Sequence, residues 1–498
     1  MFAVKLNQAN YEYDVHSLVK AFYPEEVVKV LTSQTKEDTY EEVLSQAGKV
    51  NLEIEIEDAG ASILFADEQN NEERKLFTGG QGNVLTYRWY YDVSEGRYKD
   101  AFKRFLYRVL SEVTDKELPW GNLTGIRPTK LAYAMLEDGM SESQIAENLK
   151  QAHYVSDEKI DLSIDIAKRE RELLSKVHYE GGYSLYIGIP FCPTTCLYCS
   201  FTSYPIAAYR KLVDTYVECV IKELEFVAEE YGDKILDSVY MGGGTPTTLE
   251  AEQLDRLLGK VRALFDFGQV KEFTVEAGRA DSITEEKLRV LKKHGVDRIS
   301  INPQTMKQET LQMIGRRHTV EQVIEAFGLA KEVGFENINM DLILGLPGET
   351  EEDVQNTINK VVELNPDSLT VHSLAIKRAS RLSQWITEHG IDTLRNTDET
   401  MKIAAAGAKI LGMEPYYLYR QKNMSGNFEN VGYAKSGKYG LYNILIMEEK
   451  QTIVACGAGT ITKRVFPDGR IERCDNVKDV ALYIEKIDEM IARKKALL

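Results

Sequence analysis

A chain of 498 residues is too long for one ordinary domain, and roughly two to four are expected. Its 43% apolar and 9% aromatic content is enough to build full cores, which excludes a disordered chain. A net charge of −17 excludes a general nucleic-acid binder and an electrostatic hold on anionic lipid, because both need a basic footprint.

No apolar run reaches the roughly 18 residues of a membrane span. The opening "MFAVKLNQANYEYDVHSL" lacks a basic start followed by an apolar core, so no signal peptide and a cytoplasmic location are expected. Thiols there stay reduced, so clustered cysteines point to metal binding or catalysis rather than disulfides.

The first 112 residues read as a small α+β domain. "VNLEIEIED" and "ASILFAD" are strand patterns, and "YKDAFKRFLYRVLSEV" spaces its apolar residues like a helix. Residues 113–180 read as a helical connector. Ser141 and Gln144 make a capping-box pattern, and "SDEKIDLSIDIAKRERELLSK" follows as a long amphipathic helix. A role in substrate capture or as a lid is expected for this N-terminal part.

Over 181–394 short apolar runs alternate with helical patterns six times. The runs are "YSLYIGIP", "LDSVYMGG", "EFTVEAG", "RISINPQ", "NINMDLILGL" and "SLTVHSLAI". Helices are predicted after Thr319, with Gln322 as capping-box partner, and after Thr350. Such alternation implies a parallel sheet, and six units rather than eight predict a partial barrel or an open sheet. Residues 395–498 read as a further α+β piece, in which "YNILIMEEKQTIVACGAGTITKRVF" is taken as two strands.

In parallel α/β folds, function gathers at the carboxyl ends of the strands. "FCPTTCLYCSF" follows the first strand and "GGGTP" ends the second. Glu276 ends the third and Gln304 the fourth, while Asp341 and His372 lie in the fifth and sixth. The unusual residues are thus expected on one rim. Singly each has a plain reading: "GGGTP" as a turn, His372 as a satisfied core histidine, Arg316 as part of a solvated face. "GGGTP" has no following Lys-Ser/Thr and is not a phosphate loop. Cys192, Cys196 and Cys199 are spaced C-x3-C-x2-C. They could form part of a zinc site, but structural zinc prefers four closed ligands, and no fourth cysteine is near. On a [4Fe–4S] cluster, three cysteines would leave one iron open to a non-protein ligand.

"CPTTCLYC", with an aromatic before the third cysteine, resembles the signature of the radical S-adenosylmethionine (SAM) superfamily. "YIGIPFC", "GGGTPTTL", "RISINPQT" and "NMDLILGLPGET" together resemble the oxygen-independent coproporphyrinogen III oxidases (dehydrogenases), over about 183–465. The N-terminal region, "WGNLTGIRPTK" and "YRQKNMSGNFENVGYAKSGKYGLYN" resemble the HemZ branch. The resemblance implies an α/β fold: a radical SAM partial (β/α)6 TIM-type barrel with an N-terminal α+β region and a C-terminal, HemN-like α+β extension.

It also implies a [4Fe–4S] cluster on Cys192, Cys196 and Cys199, with SAM on the open iron. Tyr186 and the backbone at Gly243 would hold SAM, and Glu276, Gln304, Arg316 and Asp341 match its polar partners. Tyr198, Gly244, Thr245 and Ala375 would lie against SAM, including a second molecule, and Ile461 is a further match. The cluster and SAM, rather than a side chain, would carry the catalytic step. The implied reaction removes hydrogen from the β carbon of a propionate, then carbon dioxide and an electron, leaving a vinyl group. Two propionates of coproporphyrinogen III react in turn to give protoporphyrinogen IX in heme biosynthesis. Lys377, Arg378, Arg381 and Arg420 are candidates to meet the propionates of this tetrapyrrole. The implied electron donor is a flavodoxin or ferredoxin, and the protein is expected to be a monomer.

Two positions depart from the family pattern. Phe201 stands where many of the oxidases carry a further cysteine, and Gly188 where histidine is common. Both leave open a heme chaperone, or an enzyme that modifies or degrades heme.

Overall fold

The computed structural model describes residues 1–66, 84–125, 127–377, 380–390, 393–420 and 428–498. Arg378 and residues 421–427 of the "YRQKNMSGNF" stretch lie outside the described residues. The chain divides into two compact units, Met1–Ile164 and Asp165–Leu498.

In the first unit, Phe2–Leu6 pairs in parallel with both Val28–Leu31 and Leu52–Glu57. Gly60–Ala66 and Val84–Tyr90 extend this sheet antiparallel. The helix Tyr98–Thr114 buries Phe102, Phe105, Leu106, Val109 and Leu110 at helical spacing. They pack with Leu18 and Phe22, and with Ile54 and Ile63 of the sheet. Ser141 and Gln144 cap the helix Glu142–His153 reciprocally, as the pattern predicts.

The second unit is built on six parallel strands: β1 (Gly182–Ile189), β2 (Ile235–Gly243), β3 (Glu272–Glu276), β4 (Arg298–Ser300), β5 (Ile338–Leu344) and β6 (Ser368–Ser373). They lie side by side in chain order. The crossovers carry the helices Val213–Glu230, Ala251–Leu264, Glu285–Lys293, Val320–Val333 and Glu351–Leu364. The first of these buries Tyr216, Val217, Val220, Ile221, Leu224 and Val227, an apolar stripe that covers the sheet. Thr319 with Gln322, and Thr350 with Asp353, close capping boxes at two helix starts.

The segment after residue 395 adds strands to both edges of this sheet. Antiparallel β7 (Glu414–Tyr419) and β8 (Asn430–Ala434) continue it beyond β6. At the other edge β9 (Thr452–Cys456) pairs in parallel with β1, and β10 (Ile461–Val465) and β11 (Ile471–Asp475) follow antiparallel. No strand pairing closes the sheet among the described residues.

Two expectations are corrected here. The fourth strand ends at Ser300, and Gln304 lies beyond it on a loop. There its N–H donates to the Asp341 carbonyl at 2.9 Å and its carbonyl accepts from Ile343 N–H at 2.9 Å. The stretch "LYNILIME", taken as strand, is the helix Leu441–Glu448. Its start is capped from β3: the buried Glu272 carboxylate accepts from Leu441 N–H at 2.5 Å and Tyr442 N–H at 3.3 Å.

Among the described residues, no helix is long and apolar enough to cross a membrane.

Candidate active site

The carboxyl ends of β1–β6 surround a cavity of about 410 Å³. Thirteen of the fourteen residues expected to hold the cluster or SAM line it: Tyr186, Cys192, Cys196, Tyr198, Cys199, Gly243, Gly244, Thr245, Glu276, Gln304, Arg316, Asp341 and Ala375. Ile461 does not join them. It opens the antiparallel β10 near the sheet edge and is 48% exposed.

The cysteine loop leaves β1 and is tied down along its length. Phe191–Cys192 pairs with Tyr204–Pro205, which brackets the loop. Leu197 N–H donates to the Ile314 carbonyl at 2.9 Å, and Thr194 Oγ1 to the Gly315 carbonyl at 2.7 Å. "GGGTP" lies against the exit of β1, with Gly244 N–H donating to the Ile189 carbonyl at 2.8 Å and Thr245 N–H to the Phe191 carbonyl at 2.7 Å. A Cβ on Gly244 would sit 2.6 Å from the Phe191 carbonyl oxygen, so the close approach needs glycine. At Gly188 a Cβ would meet Thr460 Cγ2 at 2.4 Å. The loop after β9 therefore fills the space a histidine would need.

Each of the three sulfurs has its own polar neighbour. Thr245 Oγ1 lies 3.5 Å from Cys192 Sγ, Arg279 Nη1 3.8 Å from Cys196 Sγ, and Ser203 Oγ 3.7 Å from Cys199 Sγ. Burial pushes the Cys192 thiol up to about 11. Ligation there would release its proton.

Opposite the sulfurs stand carboxylates and amides. Burial pushes the Glu276 carboxyl up to about 7, against a 2.5 Å hydrogen bond donated by Tyr240 OH. Burial acts on Asp341 in the same direction. There, however, His372, Asn339 and Thr370 outweigh it and hold the carboxyl below its ordinary range. Asn339 Nδ2 donates to Asp341 Oδ1 at 2.7 Å, and His372 Nε2 lies 3.8 Å from Oδ2. The two carboxyls are thus pushed apart, one toward the neutral acid and one toward the anion.

Glu276 gives a pH prediction. Its folded value of about 7 lies above the ordinary 4.5, so the fold favours the protonated form. That contribution to stability is complete below about pH 4.5 and is lost as pH rises through about 7. Glu276→Gln removes the titration. The metal-free variant should gain on the wild type between about pH 5 and about pH 8, by up to about 3 kcal/mol at about 1.4 kcal/mol per unit. Melting curves across that range check it, and parallel pH profiles would count against it.

Four buried polar atoms on residues lining the cavity have no hydrogen-bond partner: Gln304 Oε1, Asn302 Oδ1, Arg298 Nε and Arg316 Nε. Gln304 is also held at φ +68, a conformation that non-glycine residues rarely adopt. Buried polar groups are normally satisfied, so this arrangement fits a polar ligand. The rest of the Arg316 guanidinium donates to Asn302 O at 2.5 Å, Gly278 O at 3.3 Å and Tyr198 OH at 3.3 Å.

Beside Tyr186, the lining holds residues that the sequence did not single out. Tyr186, Tyr240 and Tyr442 stack, with ring centroids 4.4 Å apart for Tyr240–Tyr442 and 6.0 Å for Tyr186–Tyr240. Arg279, Arg298 and Asn302 also reach the cavity. Of the basic candidates, Lys377 lines it, while Arg381 donates instead to the Thr195 carbonyl at 2.5 Å. Arg420 is buried and is not part of the lining.

A family profile described as the radical SAM superfamily matches residues 186–361. The oxygen-independent coproporphyrinogen-III oxidase-like protein HemZ of Bacillus subtilis (strain 168) is 42% identical over 408 residues, covering 80% of this chain and 81% of that protein. This chain belongs to the HemZ-like family of radical SAM proteins. A heme chaperone, HemW of B. subtilis (strain 168), is 39% identical to the HemZ-like chain over 195 residues, or 39% of this chain and 51% of the chaperone. The solved structure of coproporphyrinogen III oxidase (HemN) from Escherichia coli shares the fold. Its TM-score is 0.50 at 22% identity, over 64% of this chain and 72% of that one.

Radical SAM proteins use a [4Fe–4S] cluster and SAM, and the HemZ-like site fits both. Among the described residues, no three His, Cys, Asp or Glu side chains converge on one point. In a cluster each thiolate meets a different iron, so one point of convergence is not needed. The partnerless amide and guanidinium atoms suit the polar groups of SAM.

Proposed function

We propose that this chain is a radical SAM enzyme acting on a tetrapyrrole, by oxidative decarboxylation of coproporphyrinogen III propionates to vinyls. The observation that carries the reading is that one cavity gathers three thiols, two carboxyls that their surroundings push in opposite directions, and four partnerless polar atoms. Cys192, Cys196 and Cys199 hold the cluster. Gln304, Arg316, Glu276 and Asp341 bind and orient SAM, with Tyr186, Tyr198, Gly243, Gly244, Thr245 and Ala375 against it. When bound, the pair supplies hydrogen-atom abstraction. Lys377, half-buried on the wall, meets a propionate carboxylate. A flavodoxin- or ferredoxin-type donor supplies the electron.

A second reading, a heme-binding chaperone, is favoured by one observation. Phe201 occupies the position of the oxidases' further cysteine, lines the cavity and is 74% exposed, a surface for a flat apolar ring.

Anaerobic assay separates them. The protein is reconstituted with iron and sulfide, then given reductant, SAM and coproporphyrinogen III. Mass spectrometry should show successive losses of carbon dioxide and two hydrogens, with 5′-deoxyadenosine formed alongside. If SAM is cleaved while all four carboxyls survive, the substrate assignment falls. Heme retained without coupled cleavage would establish the chaperone.

A further inference from the structure

We propose that Arg279 is a positioning residue that raises the reduction potential of the cluster by aiming its charge at Cys196. The inference rests on the cluster reading above. Arg279 follows the end of β3 and is 2% exposed. A guanidinium has five N–H donors, and all five are used here. Nε donates to Asp281 Oδ1 at 3.1 Å and Nη2 to Asp281 Oδ2 at 2.9 Å. Nη2 also donates to Thr194 Oγ1 at 3.0 Å. Nη1 donates to the Thr194 carbonyl at 3.1 Å and to Cys196 Sγ at 3.8 Å.

The arrangement is polar in a definite sense. The carboxylate takes the Nε–Nη2 edge, while the sulfur meets Nη1 at the other corner of the fork. The pair is a buried dipole with its positive end toward the thiolate. Burial works against an ionised Asp281, but His318 and Arg279 hold its carboxyl down at about 2. The fully buried His318 ring backs it at 3.6 Å. Lysine cannot reproduce the fork.

The loop has separate anchors at Ile314 and Gly315, so its path does not rest on Arg279 alone. What Arg279 adds is a cation and an N–H on the sulfur of one ligand. Net charge and hydrogen bonds to the sulfurs are levers on cluster potential. A positive charge favours the form carrying the extra electron.

The test uses the full chain, reconstituted anaerobically and titrated with dithionite under electron paramagnetic resonance. Arg279→Gln should lower the ratio of reduced to oxidised cluster about tenfold at fixed potential, a shift of about 59 mV for one electron. Asp281→Asn removes the countercharge and should shift the midpoint the opposite way, with iron content unchanged. Arg279→Lys should fall between Arg279→Gln and wild type. Should Arg279→Gln not retain iron, Asp281→Asn decides alone: an upward shift supports the role, and a wild-type midpoint overturns it. Both variants at the wild-type midpoint, or shifted the same way, leave Arg279 a mechanical brace. If the wild-type protein itself takes up no cluster, the reading under Proposed function fails, and this inference with it.

Discussion

Changing Cys196 to alanine is expected to abolish cluster loading and to reduce SAM cleavage to background. Cys192→Ala and Cys199→Ala should do the same. The three thiols sit on one loop at the cavity, and that loop is anchored at Phe191–Cys192, Thr194 and Leu197. No other cysteine can replace a lost one, because Cys456 is fully buried in β9 and Cys474 is buried in β11. Cys219 lies on the helix Val213–Glu230 and is not part of the cavity lining. Alanine at 219, 456 or 474 should therefore leave loading intact. Iron and acid-labile sulfide per chain, read with 5′-deoxyadenosine formation, check both halves. Full iron without Cys196 would remove the cluster assignment, and with it the electron path into SAM.

Lys494→Met is expected to cost about 3–5 kcal/mol of stability, the usual result of leaving one partner of a buried ion pair alone. Lys494 and Glu223 are both 0% exposed and paired. Around Glu223 the donors converge: Tyr483 OH at 2.6 Å, Gly457 N–H at 2.7 Å and Asn476 Nδ2 at 2.8 Å. Lys494 also donates to the Ala455 carbonyl of β9 at 2.5 Å. The pair thus fastens the helix Ile487–Leu497 to the helix Val213–Glu230 and to the loop after β9. Combining Lys494→Met with Glu223→Gln removes the stranded charge and should recover most of the loss. Guanidinium denaturation at unchanged slope measures both. A double variant as unstable as the single one would show that packing, not charge, carries the effect.

Much of the second unit is legible in the sequence, because its signals are local. Strand–helix alternation, a capping box at Thr319, a helix start at Thr350, and odd residues at strand ends all report on neighbours within a few positions. The misreadings are non-local. "LYNILIME" is apolar all round, so its period does not separate helix from buried strand. What starts it as a helix is Glu272, a carboxylate nearly 170 residues earlier. Gln304 keeps its place through two backbone bonds to a strand not yet reached in the chain. Arg279 and Tyr442 belong to no motif, and only the fold brings them to the cavity. Ile461 matches by pattern alone, and the turn into β10 carries it away from the cavity.

The pairing of β9 with β1 has a consequence for how the protein is made. Ser184 meets Ile453 in register, a separation of about 270 residues. A ribosome adding about 5–20 residues per second needs on the order of ten to fifty seconds to span it. Throughout that interval β1 has one open edge on the nascent chain, and the cysteine loop hangs from it. An iron–sulfur donor that delivered its cargo during synthesis would meet this loop on an unfinished scaffold. The finished cradle, with Gly457 and Thr460 packed against Gly188, exists only once β9 has docked.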